Sequence, residues 1–127
     1  MNRNAEGTAA ERVAATFLQS HGLKLLETNY RCRFGEIDLI LRDGDTLVFA
    51  EVRLRTSGNF GGAAASITAQ KQKKLLKASR HYLASSKKTP HCRFDAVLLS
   101  GMSERDIQWI TNAFGEYRKY AAQYVTD

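Results

Sequence analysis

Two strand-like runs meet at a glycine. Phe34–Arg42 carries Ile37, Leu39, Ile40 and Leu41, Thr46–Arg55 reads Leu47-Val48-Phe49-Ala50-Glu51-Val52, and Asp43-Gly44 joins them. An Asp-Gly pair between apolar runs is a strong short-range signal for a two-residue β-hairpin. The hairpin lays the runs side by side and antiparallel, so each position on one acquires a definite neighbour on the other. With residues 43 and 44 as the loop, Arg42 pairs with Asp45, Asp38 faces Phe49 and Glu36 faces Glu51. Strand side chains alternate between faces. Glu36, Asp38, Glu51, Arg53 and Arg55 therefore share one face, with Asp38 and Glu51 as diagonal neighbours whose Cβ atoms lie roughly 7–8 Å apart. An odd-length loop would send the two carboxylates to opposite faces.

Around this hairpin the chain alternates helix and strand patterns. Apolar residues at 10, 13, 14, 17 and 18 have helical spacing over Thr8–Gln19, and Gly22 is a good stop. Leu23–Tyr30 is a weaker strand. After the glycine-containing stretch 56–62, a second helix is expected from about Ser66 to Ser85. Leu75, Ala78, Ser79, Tyr82 and Leu83 form its apolar face, and Lys73, Lys77 and Arg80 project from the opposite side. Phe94–Leu99 reads as a buried strand and Asp106–Ile110 as a short edge strand. Asn112–Tyr124 is a candidate terminal helix whose Tyr117, Tyr120 and Tyr124 share a face, either against the core or for a partner. The order is α-β-β-β-α-β-β-(α), an α/β fold with a sheet flanked by helices. The 127 residues fit one domain, 1–127, with 112–127 as an added terminal element.

Composition narrows the class further. Apolar residues make up 43% and charged residues 25%, as in ordinary globular domains. No apolar run approaches the ~18 residues of a membrane span, and the N-terminus lacks the pattern of a secretory signal. Cys32 and Cys92 read as two reduced, half-buried thiols in preference to a disulfide, which suits a cytoplasmic protein. The three histidines match no zinc spacing. The net charge is +6, and its origin is local. Residues 63–93 hold eight basic side chains and no acid, whereas 1–62 balance and 94–127 are net acidic. A basic helix stripe of this kind suits either a polyanion such as nucleic acid or plain solvation.

Like charges side by side on a sheet destabilise it unless something offsets them. A divalent cation would do so for Asp38 and Glu51, and carboxylate oxygens plus water suit magnesium or manganese. The other reading makes each a solvated strand carboxylate neutralised by a neighbouring arginine. Glu11 lies at the edge of the first helix's apolar face and could look over the sheet. Thr8-Ala9-Ala10-Glu11 is equally a capping-box pattern, in which Glu11 reaches back to the Thr8 amide.

Gly35-Glu36-Ile37-Asp38-Leu39-Ile40, the hairpin, and Phe49-Ala50-Glu51-Val52-Arg53-Leu54-Arg55 together resemble the signature of the YraN family. These are small bacterial proteins assigned to the restriction-endonuclease-like, or PD-(D/E)XK, superfamily. The match extends through Glu11, Asn29-Tyr30-Arg31, Phe60-Gly61-Gly62, Lys71-Gln72 and Phe94-Asp95. The resemblance implies an α-β-β-β-α-β core and a metal-dependent nuclease site. In it Asp38 matches the metal-binding aspartate, Glu51 the acidic residue of the (D/E)XK element and Glu11 the helix-borne glutamate of Holliday-junction-resolvase-like members. Lys71 and Gln72 match a polar pair opening the second helix. Arg53 stands where the pattern has lysine. A guanidinium does not give up a proton near neutral pH, so a general-base role for residue 53 is excluded, while charge balancing and transition-state stabilisation survive.

The expectation is thus a Mg- or Mn-dependent endonuclease acting on DNA, with Asp38, Glu51 and Arg53 catalytic and Asp38, Glu51 and Glu11 at the metal. Arg55, Lys71, Gln72, Lys73, Lys77 and Arg80 contact the nucleic acid. The alternative is a non-catalytic nucleic-acid-binding module on a nuclease fold. No membrane partner is expected, and a homodimer is left open.

Overall fold

The computed structural model describes residues 2–54, 67–86 and 90–114, with side chains from Gly7 onward. The elements run α1 (Asn2–Ser20), β1 (Lys24–Cys32), β2 (Gly35–Asp43), β3 (Thr46–Leu54), α2 (Ala69–Leu83), β4 (His91–Leu99) and β5 (Ile107–Ile110), with a 3₁₀ turn at Glu104–Asp106 before the last strand. The strands form one mixed sheet in the order β1-β2-β3-β4-β5. β3 and β4 are parallel, which requires a long crossover, and α2 lies in it. The other neighbouring strands are antiparallel. The α-β-β-β-α-β order and the mixed sheet between helices match the sequence expectation, and the two weakest strands occupy the sheet's edges.

Both faces of the sheet are covered, which is why β2 reads as a nearly continuous apolar run. On one face Ala10, Ala14 and Leu18 of α1 pack against Leu39, Leu41, Val48, Val97 and Leu99. The alanines let the helix approach closely. On the other face Leu75, Leu76 and Ala78 of α2 pack against Ile37, Ile40, Phe49 and Phe94. Lys73, Lys77 and Arg80 are exposed on the outer side of α2. No helix among the described residues is long and apolar enough to cross a membrane.

The hairpin register differs from the sequence expectation. Asp43 pairs with Thr46 and Arg42 with Leu47, so the loop is Gly44-Asp45 rather than Asp43-Gly44. Gly44 has φ +61 and takes the first loop position, the arrangement of a type II′ turn. The loop remains two residues long, so the parity that sets facing side chains is unchanged. The rung moves by one residue on each strand, and Asp38 comes level with Glu51 instead of diagonal to it. The first helix also begins earlier than expected, at Asn2. Thr8 is therefore inside the helix and cannot cap it, which removes the capping-box alternative for Glu11. Residues 55–66, 87–89 and 115–127 lie outside the described residues. With them go Arg55, the 56–62 stretch, Tyr117, Tyr120 and Tyr124.

Candidate functional site

The β2–β3 ladder runs from Asp43↔Thr46 to Leu39↔Ala50. Past that rung the Val52 N–H donates to Asp38 Oδ2 at 2.8 Å, so a side chain takes the place of a backbone acceptor. The N–H and C=O of one strand residue point to the same edge, which leaves the Val52 carbonyl also directed toward β2. Side-chain alternation in β2 slips at this point. Leu39 and Leu41 pack on the α1 side, whereas Ile37 packs with Ile40 on the α2 side. Across from Asp38, between the rungs Thr28↔Leu39 and Tyr30↔Ile37, Asn29 adopts φ +53. Asparagine is a poor strand former but tolerates the left-handed region. The sheet is therefore irregular in two adjacent strands at the level of Asp38.

That irregularity brings carboxyl groups from three elements together. Glu11 of α1 hydrogen-bonds to Asn29 and to Asp38, and Asp38 also hydrogen-bonds to Glu51. Burial, then the neighbouring Glu51 carboxylate, pushes Asp38 up to about 8, against the opposing hydrogen bond from Val52. Burial likewise raises Glu11, partly offset by its bonds to Asn29 and Asp38. Asp38 therefore favours its protonated form far more than an ordinary aspartate does. Glu51 is only 2% exposed. Lys71 Nζ lies 3.0 Å from Glu51 Oε2, and Arg53 Nε lies 3.6 Å from the same oxygen. The reading of two solvated carboxylates, each with its own arginine, is thereby corrected: Glu51 is buried and its nearer cation is a lysine of α2.

The cluster opens into a cleft of about 610 Å³ lined by Glu11, Asn29, Glu36, Asp38, Glu51 and Lys71 among others. A second recess of about 420 Å³ shares Glu36, Asp38, Glu51 and Lys71 and continues along α2 to Lys74. Glu36 sits at the rim, with Arg31 Nε 3.5 Å from its Oε2.

The structure thus brings Glu11, Asp38, Glu51, Arg53 and Lys71 together. Lys71 belongs to the carboxylate cleft rather than to the outer stripe of Lys73, Lys77 and Arg80. Gln72 donates from Nε2 to the Ile67 carbonyl at 3.0 Å, bracing the turn that opens α2. Asn29 carried no assigned role in the sequence reading. Its signals were its place in the Asn29-Tyr30-Arg31 match and the oddity of an asparagine in mid-strand.

The cluster's side-chain donors are carboxylate oxygens, the ligand type that magnesium and manganese take. They are crowded so tightly that protonation of Asp38 is favoured in the absence of other compensation. Among the described residues no three His, Cys, Asp or Glu side chains already stand grouped to hold an ion by themselves. A divalent ion held here would need water to complete its shell, as magnesium commonly keeps. Asp38, Glu51 and the Val52 carbonyl are the groups that could contact such an ion directly.

The fold and cleft define a small α/β protein whose sheet opens at one end around a carboxylate cluster in which Glu51 is buried. The chain belongs to the uncharacterised protein family UPF0102, whose model matches residues 10–99, a span that contains the whole cluster. It is similar to a UPF0102 protein of Nitrosospira multiformis, 61% identical over 90% of this chain and 96% of the relative. A UPF0102 protein of Nitrosomonas europaea is 62% identical over 87% of this chain and 94% of its own length. One of Psychromonas ingrahamii is 50% identical over 89% and 92%.

Proposed function

We propose that this protein is a restriction-endonuclease-like, divalent-metal-dependent nuclease that hydrolyses phosphodiester bonds in DNA, in the cytoplasm. The observation that carries the reading is the hydrogen-bonded set Glu11–Asp38–Glu51 at the end of an opened hairpin, with cations from β3 and α2 beside it. Asp38 and Glu51 would hold magnesium or manganese, with the Val52 carbonyl and water completing the shell and Glu11 acting through a water. When bound, the ion supplies a hydroxide-like nucleophile and stabilises charge growing on the phosphate.

The remaining roles fall to the chain's own cations. Arg53 steadies the attacked phosphate with its planar fork and takes no proton from water. Arg55 anchors a neighbouring phosphate. The exposed Lys73, Lys77 and Arg80 follow the nucleic-acid backbone, whose affinity comes largely from such contacts. Gln72 shapes the turn that presents Lys71. The cytoplasmic setting rests on the two cysteines, which are free thiols, with Cys92 pushed up to about 11 by burial.

A second reading rests on Arg53. With no lysine at that position, the same surface would serve as a non-catalytic nucleic-acid-binding module. Cleavage assays on linear, flapped and four-way DNA with magnesium or manganese separate the two. Under the nuclease reading Asp38→Asn loses cutting and retains binding. Absence of cutting by the wild type on every substrate overturns it and leaves the binding module.

A further inference from the structure

The place of Lys71 is fixed from two sides. As the third residue of α2, it donates its backbone N–H to Thr68 Oγ1, the N-cap, at 3.2 Å. Its Nζ reaches Glu51 Oε2 at 3.0 Å. The first turn of a helix carries the positive end of the dipole and disfavours a cation. No acidic residue stands in the first turn of α2 to offset it. The lysine is compensated across the cleft instead, by a carboxylate of β3. The pair is asymmetric in burial: the Glu51 side chain is 3% exposed and that of Lys71 39%. The ammonium therefore enters the cluster from the solvent side on a flexible stem, along the recess that leads to Lys74.

We infer that Lys71 is a built-in counter-ion of the metal-free cluster, its ammonium holding the Glu51 oxygen that a divalent cation takes, so that cation binding displaces it. The inference rests on the metal-site reading proposed above. The ammonium sits at 3.0 Å, and an ion would bind the same oxygen at about 2.1 Å. Two cations that close on one oxygen repel strongly. Of the two, the lysine is free to leave, because its single-point contact and four-carbon stem let it swing outward where a forked guanidinium would resist. Displaced, the ammonium swings out toward solvent, to which its side chain is already 39% exposed. Lys71 is thus a positioning residue: it balances the Glu51 charge and gives way when a divalent cation binds.

The test is calorimetric titration of manganese chloride into the full chain as wild type, Lys71→Met and Lys71→Arg. Removing one competing charge a few ångström from the ion is expected to tighten manganese binding by about tenfold in Lys71→Met. Lys71→Arg, which keeps the charge and adds a fork that resists displacement, is expected to bind manganese more weakly than wild type. The melting temperature of Lys71→Met falls below wild type in EDTA and approaches it in saturating manganese. Lys71→Gln is expected to show the same tightening and serves if the methionine variant does not fold. Equal or weaker manganese binding in the charge-removing variant, with a wild type that binds, overturns the counter-ion role alone. A wild type that binds no manganese overturns the metal site and the counter-ion with it.

Discussion

The Val52 N–H and Asp38 Oδ2 meet at 2.8 Å just past the last regular rung of the β2–β3 ladder. This bond is the hinge of the site. It satisfies a backbone donor that the opened ladder would leave without a strand partner, and it fixes the aspartate level with Glu51. A half-buried carboxyl held this way beside two others favours its protonated form.

The first prediction follows from that preference. Asp38 titrates near 8 in the folded protein and near 3.9 when unfolded. Between those values the folded state binds the extra proton, so stability falls as pH rises. The contribution is fully present below pH 4 and is lost as pH climbs through about 8. Metal-free wild type should therefore lose melting temperature between pH 5 and 8 relative to Asp38→Asn, which lacks the group. Calorimetric melts of both proteins in EDTA measure the difference. A gap that widens in favour of wild type as pH rises would contradict the assignment.

Asn29 should prove sensitive for two separable reasons. Its φ of +53 disfavours alanine by about 1–2 kcal/mol, whereas glycine adopts it freely. Both substitutions remove the hydrogen bond to Glu11. Urea unfolding should place Asn29→Ala below Asn29→Gly in midpoint. Manganese titrations should show both variants weakened to a similar degree, because both free Glu11.

Asp95 is a structural centre away from the cleft. It is fully buried and accepts from Arg93 Nε at 3.0 Å, Trp109 Nε1 at 3.0 Å and the Asn112 N–H at 2.9 Å. It ties β4 to β5 and to the turn beyond. Asp95→Ala leaves Arg93 with Asp43 as its remaining carboxylate and strips the Trp109 Nε1 and Asn112 N–H donors of their acceptor, a loss of about 2–4 kcal/mol. Denaturant titration followed by Trp109 fluorescence reads it, and manganese binding by the folded fraction should be unchanged.

Nucleic-acid affinity should respond to the outer stripe of α2 in a way that identifies phosphate contacts. Each side chain of Lys73, Lys77 and Arg80 that touches a phosphate adds about 0.9 to the slope of log affinity against log salt on duplex DNA. Alanine at all three should flatten that slope and weaken binding similarly on unrelated sequences. Fluorescence anisotropy at several salt concentrations reads both. An unchanged slope would remove the stripe from the interface.

Much of the architecture was legible in local pattern. The apolar period at 10, 14 and 18 marked the buried side of α1, and the lysines opposite Leu75 and Ala78 marked the outer side of α2. The hairpin's even loop put Asp38 and Glu51 on speaking terms even though the register was read one rung off. An Asp-Gly pair suggests a loop beginning at Asp43, whereas the fold seats Gly44 in the first loop position; both loops have two residues, so facing survived the shift.

Chain order, helix faces and the parity of the hairpin were properties of the sequence by itself, because each depends on residues a few positions apart and on the fixed periods of helix and strand. Only the tertiary structure decided that Glu11 serves the cluster instead of a helix cap, that Asn29 turns left-handed opposite Asp38, and that Lys71 pairs with Glu51. Those are meetings between elements remote in the chain. Their energetics come from burial and from charges brought close in a low dielectric, and neither exists until the sheet and its two helices have packed.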